Sequence, residues 1–96
     1  MDVHKSDIVQ SLRGRDQGEY FIVIDEDDWF LYLVNGKNRR IGEPKRKNRR
    51  HVQYVASIDP ELAEKLNTTG KLSGSDIKNT LSRVTGREPL IDEGGI

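Results

Sequence analysis

The sequence predicts a mainly β fold, a small five-stranded barrel followed by two short α-helices. Short segments rich in apolar and β-branched residues, separated by Gly, Asn and Asp, occupy positions 1–58. Helix start and stop residues at helical spacing occupy positions 59–86. Ninety-six residues, 33% of them hydrophobic, suit one small domain. Closing five short strands into a barrel would leave few exposed strand edges.

Five strands are predicted, each bounded by turn residues. They are Asp7–Leu12, Tyr20–Asp25, Trp29–Val34, Asn38–Gly42 and Val52–Ala56. The first two flank the loop Gly14-Arg15-Asp16-Gln17-Gly18, in which we expect positive φ at Gly14 and hydrogen bonds from loop amides to Asp16. Asn35-Gly36 predicts a type I′ hairpin turn between the third and fourth strands. The aromatic side chains are assigned to packing, with Tyr20 and Tyr32 as the candidates for stacking on an RNA base, because a tyrosine can be half exposed.

Two helices follow the strands. Asp59-Pro60-Glu61 has the residues of a helix start, and Gly70 is placed to end that helix. Ser73 or Ser75 can cap a second helix that stops at Gly86. The predicted organisation is therefore a barrel over 1–58, a helical extension over 59–86 and a flexible tail over 87–96.

Positive charge is concentrated in one segment although the formal net charge of the chain is zero. Eight of the 16 Lys and Arg residues lie between positions 37 and 50, with Glu43 as the one acid. The guanidinium fork of Arg and the point charge of Lys both suit phosphate, and together they favour a phosphodiester backbone. The predicted RNA contacts are Arg13, Arg15, Lys37, Arg39, Arg40, Lys45, Arg46, Lys47, Arg49, Arg50 and His51.

The region Glu43–Arg49 is too charged for a core, so we expect a loop, of which Pro44–Arg49 is mobile until RNA binds. Alanine at Lys45, Arg46 and Lys47 would then leave the melting temperature nearly unchanged. A solvated loop without a ligand and a localisation-type basic patch are the alternative interpretations of this segment.

Several motifs together resemble a known family. They are Ile8-Val9, Gly14-Arg15-Asp16-x-Gly18, Val23, Val34-x-Gly36-Lys37-x-Arg39-Arg40, Pro44-Lys45-Arg46-Lys47 and His51. This pattern, over about residues 6–56, resembles the small bacterial KOW-domain RNA-binding proteins, which are similar to a large-subunit ribosomal protein family of archaea and eukaryotes. The resemblance implies an SH3-like barrel, no catalysis and contact with structured, ribosomal RNA. It also implies structural roles for the loop residues Gly14, Asp16, Gly18, Asn35 and Gly36. Phe21 departs from the pattern, because many KOW motifs have a glycine there.

The sequence gives little support for an enzyme, a metal-binding protein or a membrane protein. The chain has no cysteine, and no nucleophile–base pair is visible, so we expect no enzyme activity, no metal and no cofactor. Asp25-Glu26-Asp27-Asp28 lacks the pattern of a calcium loop and is interpreted as a solvated turn. The absence of a long apolar run predicts a cytoplasmic protein, which we expect to be a monomer. The partners expected are RNA and ribosomal proteins, and the alternative function is a protein–protein adaptor of the translation or transcription machinery.

Overall fold

The computed structural model describes residues 2–85, which form one antiparallel sheet and two helices. The strands are β1 (Asp7–Ser11), β2 (Tyr20–Glu26), β3 (Phe30–Val34), β4 (Lys45–Asn48) and β5 (Val52–Ser57), and the helices are α1 (Pro60–Thr69) and α2 (Gly74–Thr85). A short 3-10 turn, Arg49–His51, connects β4 to β5. The mainly β architecture with two C-terminal helices is confirmed.

The sheet is not closed into the predicted barrel. Its strand order is β4-β3-β2-β1-β5, so β4 and β5 form the two edges and do not pair with each other within residues 2–85. The register shifts between Ile8 and Val9 where β1 pairs with β5, and between Val23 and Asp25 where β2 pairs with β3. Irregularities of this kind bend a strand and increase its twist.

Apolar side chains fill both faces of the sheet. Ile8 and Ile22 belong to the cluster that also contains Leu66, Ile77 and Leu81 of the helices. The opposite face has its own cluster, composed of Val3, Val9, Phe21, Val23, Leu31, Leu33 and Val52. Neighbouring residues of a strand point to opposite faces, which explains why β1 and β2 are apolar at consecutive positions. The predicted extension 59–86 therefore shares a core with the sheet, and the predicted tail 87–96 lies outside the described residues.

The fourth strand is not where the sequence predicted it. Residues 38–42 form no strand, and β4 lies within the region expected to be a mobile loop. Lys45 pairs opposite Leu33 and Lys47 opposite Leu31 in the ladder between β3 and β4. Residues 35–44 are a long connection instead of a tight hairpin.

Asn35 closes that connection with its side chain. Its Oδ1 accepts the backbone N–H of Lys37 at 2.9 Å and of Arg39 at 3.0 Å. Asn35 is buried and has no positive φ, whereas Gly36 has a φ of 78°. The predicted type I′ turn is therefore wrong, because that turn requires positive φ at both central residues. The Asn35 side chain instead accepts hydrogen bonds from the backbone that follows it, and this local interaction replaces the type I′ turn.

Substitution of Gly36 by alanine is expected to destabilise the protein by about 2 kcal/mol. A Cβ at this position would lie 3.1 Å from Lys78 Cγ and 3.2 Å from Ile77 Cγ2 of α2, on a backbone with a φ of 78°. Chemical denaturation measures the loss. Gly42→Ala is the matched control, because a Cβ there meets nothing within 4 Å. Equal stability of the two variants would contradict this account of Gly36.

Helix α1 begins and ends where the sequence predicted, although the Asp59 side chain makes no capping hydrogen bond, and α2 begins after one of the two predicted caps. Pro60 is the first residue of α1, and Gly70 ends it with a left-handed φ of 72°. Ser73, rather than Ser75, caps α2: the Asp76 N–H donates to Ser73 Oγ, and the Ser73 N–H donates to Asp76 Oδ2. The predicted stop at Gly86 lies outside the described residues. Neither helix within residues 2–85 has the length and apolar composition needed to cross a bilayer.

Candidate nucleic-acid interface

The carboxylate of Asp16 joins the β1–β2 loop (residues 12–19) to strand β4. Its Oδ1 accepts hydrogen bonds from Ser11 Oγ at 2.7 Å and from Lys47 Nζ at 2.8 Å. Lys45 Nζ lies 3.1 Å from Oδ2 as an ion pair, and Oδ2 has no well-aligned donor. Lys47 Nζ also donates to the carbonyl of Arg13 at 2.7 Å. The predicted contacts from loop amides to the Asp16 side chain are replaced by these partners.

This ion pair is buried and charged. The side chains of Lys47 and Asp16 are 8% and 10% exposed. Burial by itself raises the pKa of the Asp16 carboxyl, but the interactions with Lys47, Ser11 and Lys45 outweigh it and hold the pKa well below its usual range. Lys47 therefore supports the loop from beneath and offers no donor to RNA at the surface.

Arg49 has a similar internal role at the opposite end of strand β2. Its guanidinium donates to Glu26 Oε1 at 2.6 Å, to the carbonyl of Val3 at 2.6 Å and to that of Asp27 at 2.9 Å. Burial by itself raises the pKa of Glu26, but the N–H of Lys5 and the side chains of Arg49 and His4 lower it to about 2. Arg49 thus fastens the amino-terminal segment to the β2–β3 turn, and its charge is compensated.

Five of the predicted RNA contacts are exposed cations on the connections between strands. They are Arg13 and Arg15 in the β1–β2 loop, Lys37 and Arg40 in the β3–β4 connection, and Arg50 in the 3-10 turn. None of these side chains makes a hydrogen bond or ion pair with another described residue. Gly14, between the first two, has a φ of 89°, as predicted. Hydrogen bonds hold the loop backbone around both arginines, from Lys47 Nζ to the Arg13 carbonyl and from the Gln17 N–H to the Gly14 carbonyl.

The other predicted contacts are intermediate cases. Arg46 is exposed on the outer face of β4, where its guanidinium lies 4.3 Å from the centre of the Phe30 ring. Arg39 and His51 are half-buried, and their backbone carbonyls accept from Asn35 and Leu12 respectively. Lys45 is half-buried in its ion pair with Asp16. Arg46 thus adds an exposed charge to the basic surface, whereas the other three side chains are partly covered by the fold.

The structure also shows a groove that the sequence did not predict. It has a volume of about 640 Å³ and lies between the end of the β1–β2 loop, the start of the β3–β4 connection and helix α2. Its lining residues are Gly18, Glu19, Tyr20, Asn35, Lys37, Lys78, Leu81, Ser82 and Thr85. Lys78 was missed because no local signal in α2 indicates which loops the helix packs beside. The groove also shows that the two loops carrying Arg13, Arg15 and Lys37 are neighbours.

Trp29 is a second exposed feature outside the predicted site. The sequence placed it in a strand, but β3 begins at Phe30 and the Trp29 side chain is 69% exposed in the β2–β3 turn. Asp27 organises this turn, because its Oδ1 accepts the N–H groups of Trp29 and Phe30 and its Oδ2 accepts the hydroxyl of Tyr32. The solvated turn predicted from the acidic residues is present at Asp27 and Asp28, whereas Asp25 and Glu26 belong to strand β2 and Glu26 pairs with Arg49.

Comparison with known proteins does not assign this site to a family. No family model matches the chain, and a search of characterised proteins finds no significant match. Within residues 2–85, no three His, Asp or Glu side chains are grouped so that they could hold a metal ion.

Proposed function

We propose that this protein binds structured RNA through phosphate contacts from its basic loops. The observation that carries the proposal is the pair of neighbouring loops that present Arg13, Arg15, Lys37 and Arg40 as exposed cations without a side-chain partner among residues 2–85. Held on a fixed backbone, such cations lose less conformational freedom when they meet a ligand than those of a mobile loop would. Arg50 and Arg46 add positive charge on the 3-10 turn and on β4.

The spread of these cations favours a polymer over a small anion. They come from several separate elements, whereas a single phosphate group is usually bound by donors that converge on one point. A-form RNA hides its major-groove edges from side chains, so recognition would depend on the shape and backbone of the RNA. The five-stranded antiparallel sheet supports the SH3-like fold that the KOW resemblance implies, although its described strands do not close into a barrel. On that resemblance, the RNA is ribosomal and the protein is a cytoplasmic component or factor of translation.

The affinity for RNA is expected to fall steeply with salt concentration. If about four to six phosphates are neutralised, the log–log slope of the binding constant against salt is roughly −3 to −5, because bound cations are released from the RNA. Filter binding of a structured RNA hairpin over a range of KCl concentrations measures this slope. A flat dependence would contradict binding by phosphate contacts.

A protein–protein adaptor is the second candidate, and the exposed Trp29 favours it. Tryptophan supplies a large contact area and is enriched among the residues that dominate protein interfaces. The acidic surroundings of Trp29 (Asp25, Asp27 and Asp28) would repel RNA, so this turn and the basic loops suit different partners. Purified protein that carries nuclease-sensitive absorbance at 260 nm supports RNA binding over the adaptor function.

A further inference from the structure

The groove beside α2 combines an apolar wall with two free cations. Leu81 and the half-buried ring of Tyr20 supply apolar surface, and Lys37 and Lys78 are exposed on the connection and on the helix that border it. Glu19 is the one acid among its lining residues. The volume of about 640 Å³ falls within the roughly 300–1,000 Å³ typical of sites for small ligands.

Two of the remaining polar groups of the groove, the Asn35 side chain and the Gly18 carbonyl, are hydrogen-bonded within the fold. Asn35 Oδ1 accepts two backbone N–H groups, and its Nδ2 donates to Asn38 Oδ1 at 3.0 Å. The carbonyl of Gly18 accepts from Gln10 Nε2. These interactions fix the shape of the groove at the end of the β1–β2 loop and at the start of the β3–β4 connection.

We propose that this groove accepts one unpaired nucleotide of the bound RNA, a proposal that rests on the function proposed above. The base would lie against Tyr20 and Leu81, and the flanking phosphates would lie near Lys37 and Lys78. Stacking on an aromatic ring tolerates any base, because every base has a π face. The net positive charge of the groove and its place beside the Arg13 and Arg15 loop favour a nucleotide over a neutral apolar ligand.

An unpaired nucleotide in the groove implies a preference between RNAs that phosphate contacts alone do not imply. A base in a continuous duplex is paired and stacked, whereas a bulged base can leave the helix and stack on a protein side chain. An RNA hairpin with a single-nucleotide bulge is therefore expected to bind about tenfold more tightly than the same hairpin fully paired, which is within the usual range for one base–aromatic stack. Titration of both RNAs at one salt concentration measures the ratio.

Two tryptophan substitutions on α2 form a matched pair for this test. Ser82 lines the groove, so Ser82→Trp is expected to fill it, abolish the preference for the bulge and leave binding of the paired hairpin unchanged. Asn79 is exposed on the same helix and does not line the groove, so Asn79→Trp is expected to keep the preference. Lys78→Gln should weaken binding of the bulged hairpin more than that of the paired hairpin.

The outcomes separate this proposal from the proposed function. Equal affinity of the wild-type protein for the two hairpins overturns the groove proposal and leaves RNA binding intact. A bulge preference that persists in Ser82→Trp, or that is lost equally in Asn79→Trp, also overturns it. Binding of neither hairpin overturns both the groove proposal and the proposed function.

Discussion

Replacement of Lys47 by alanine is expected to lower the free energy of unfolding by about 3 kcal/mol, as breaking one partner of a buried ion pair usually does. Without the ammonium group, the Asp16 carboxylate loses its 2.8 Å hydrogen bond and the Arg13 carbonyl loses its 2.7 Å donor, both at a buried site. Lys45 remains 3.1 Å from Asp16 Oδ2 and compensates part of the charge, which keeps the loss from being larger. Urea denaturation monitored by circular dichroism measures the change.

Two further variants separate the ion pair from a general effect of removing positive charge. Arg50→Ala removes an exposed cation that has no side-chain partner among the described residues, so a change within about 0.5 kcal/mol is expected. The double variant Asp16→Asn with Lys47→Met removes both charges of the buried pair and leaves only the half-buried Lys45 without its carboxylate. It is therefore expected to be more stable than Lys47→Ala alone. A Lys47→Ala protein as stable as Arg50→Ala would show that the Asp16–Lys47 pair contributes nothing to stability.

Short sequence patterns correctly predicted those elements whose stabilising interactions join residues that are close in sequence. Strands β1, β2 and β5, the positive φ of Gly14 and the boundaries of α1 at Pro60 and Gly70 agree with the sequence analysis to within a residue or two. In each of these cases the decisive interaction involves nearby residues: an apolar alternation, a turn glycine or a helix cap. Such interactions are visible in a short window of sequence.

Strand β4 could not be predicted in this way, because its stabilising partner is distant. Lys47 and Asp16 are 31 positions apart, and the run Lys45-Arg46-Lys47 has the composition of a solvated loop until the Asp16 loop closes over it. The contact between Lys47 and Asp16 also determines which of these basic side chains is buried and which is exposed. Lys47 is buried by its partner, while Arg46, one position earlier, faces outwards over Phe30. The expectation that alanine at positions 45–47 leaves stability unchanged is therefore replaced by the loss predicted for Lys47→Ala.

Exposure of individual side chains was equally hard to predict from composition. The sequence treated all the cations between positions 37 and 50 as one surface, but Arg49 donates to Glu26 and two carbonyls while Arg40 faces solvent unpaired. Trp29 resembled a core residue because it precedes an apolar strand, yet it lies in the turn that Asp27 organises. Tertiary structure therefore decides which basic residues stabilise the fold and which are exposed as candidate RNA contacts.

Reversal of charge at one exposed arginine on each basic loop is expected to reduce the affinity for RNA by about 100-fold at low salt. Arg13→Glu and Arg40→Glu together remove two cations that make no described side-chain contact and place two carboxylates beside the phosphates. The loss should shrink as salt increases, and the log–log salt slope should become less negative by about two. Neither side chain supports the fold, so the melting temperature should stay close to that of the wild type.

The matched control carries the same change in net charge elsewhere. Lys71 and Arg83 are exposed residues of the helical layer and do not line the groove, so Lys71→Glu with Arg83→Glu tests the overall charge alone. We expect this control to weaken RNA binding only slightly, because screening confines exposed charges to an effective range of about 10 Å at 0.1 M salt. If both double variants lose affinity equally, attraction depends on the total charge of the protein and the two loops are not its RNA-binding surface. If only Arg13→Glu with Arg40→Glu loses affinity, the RNA phosphates lie beside the loops that Asp16 and Asn35 hold in place.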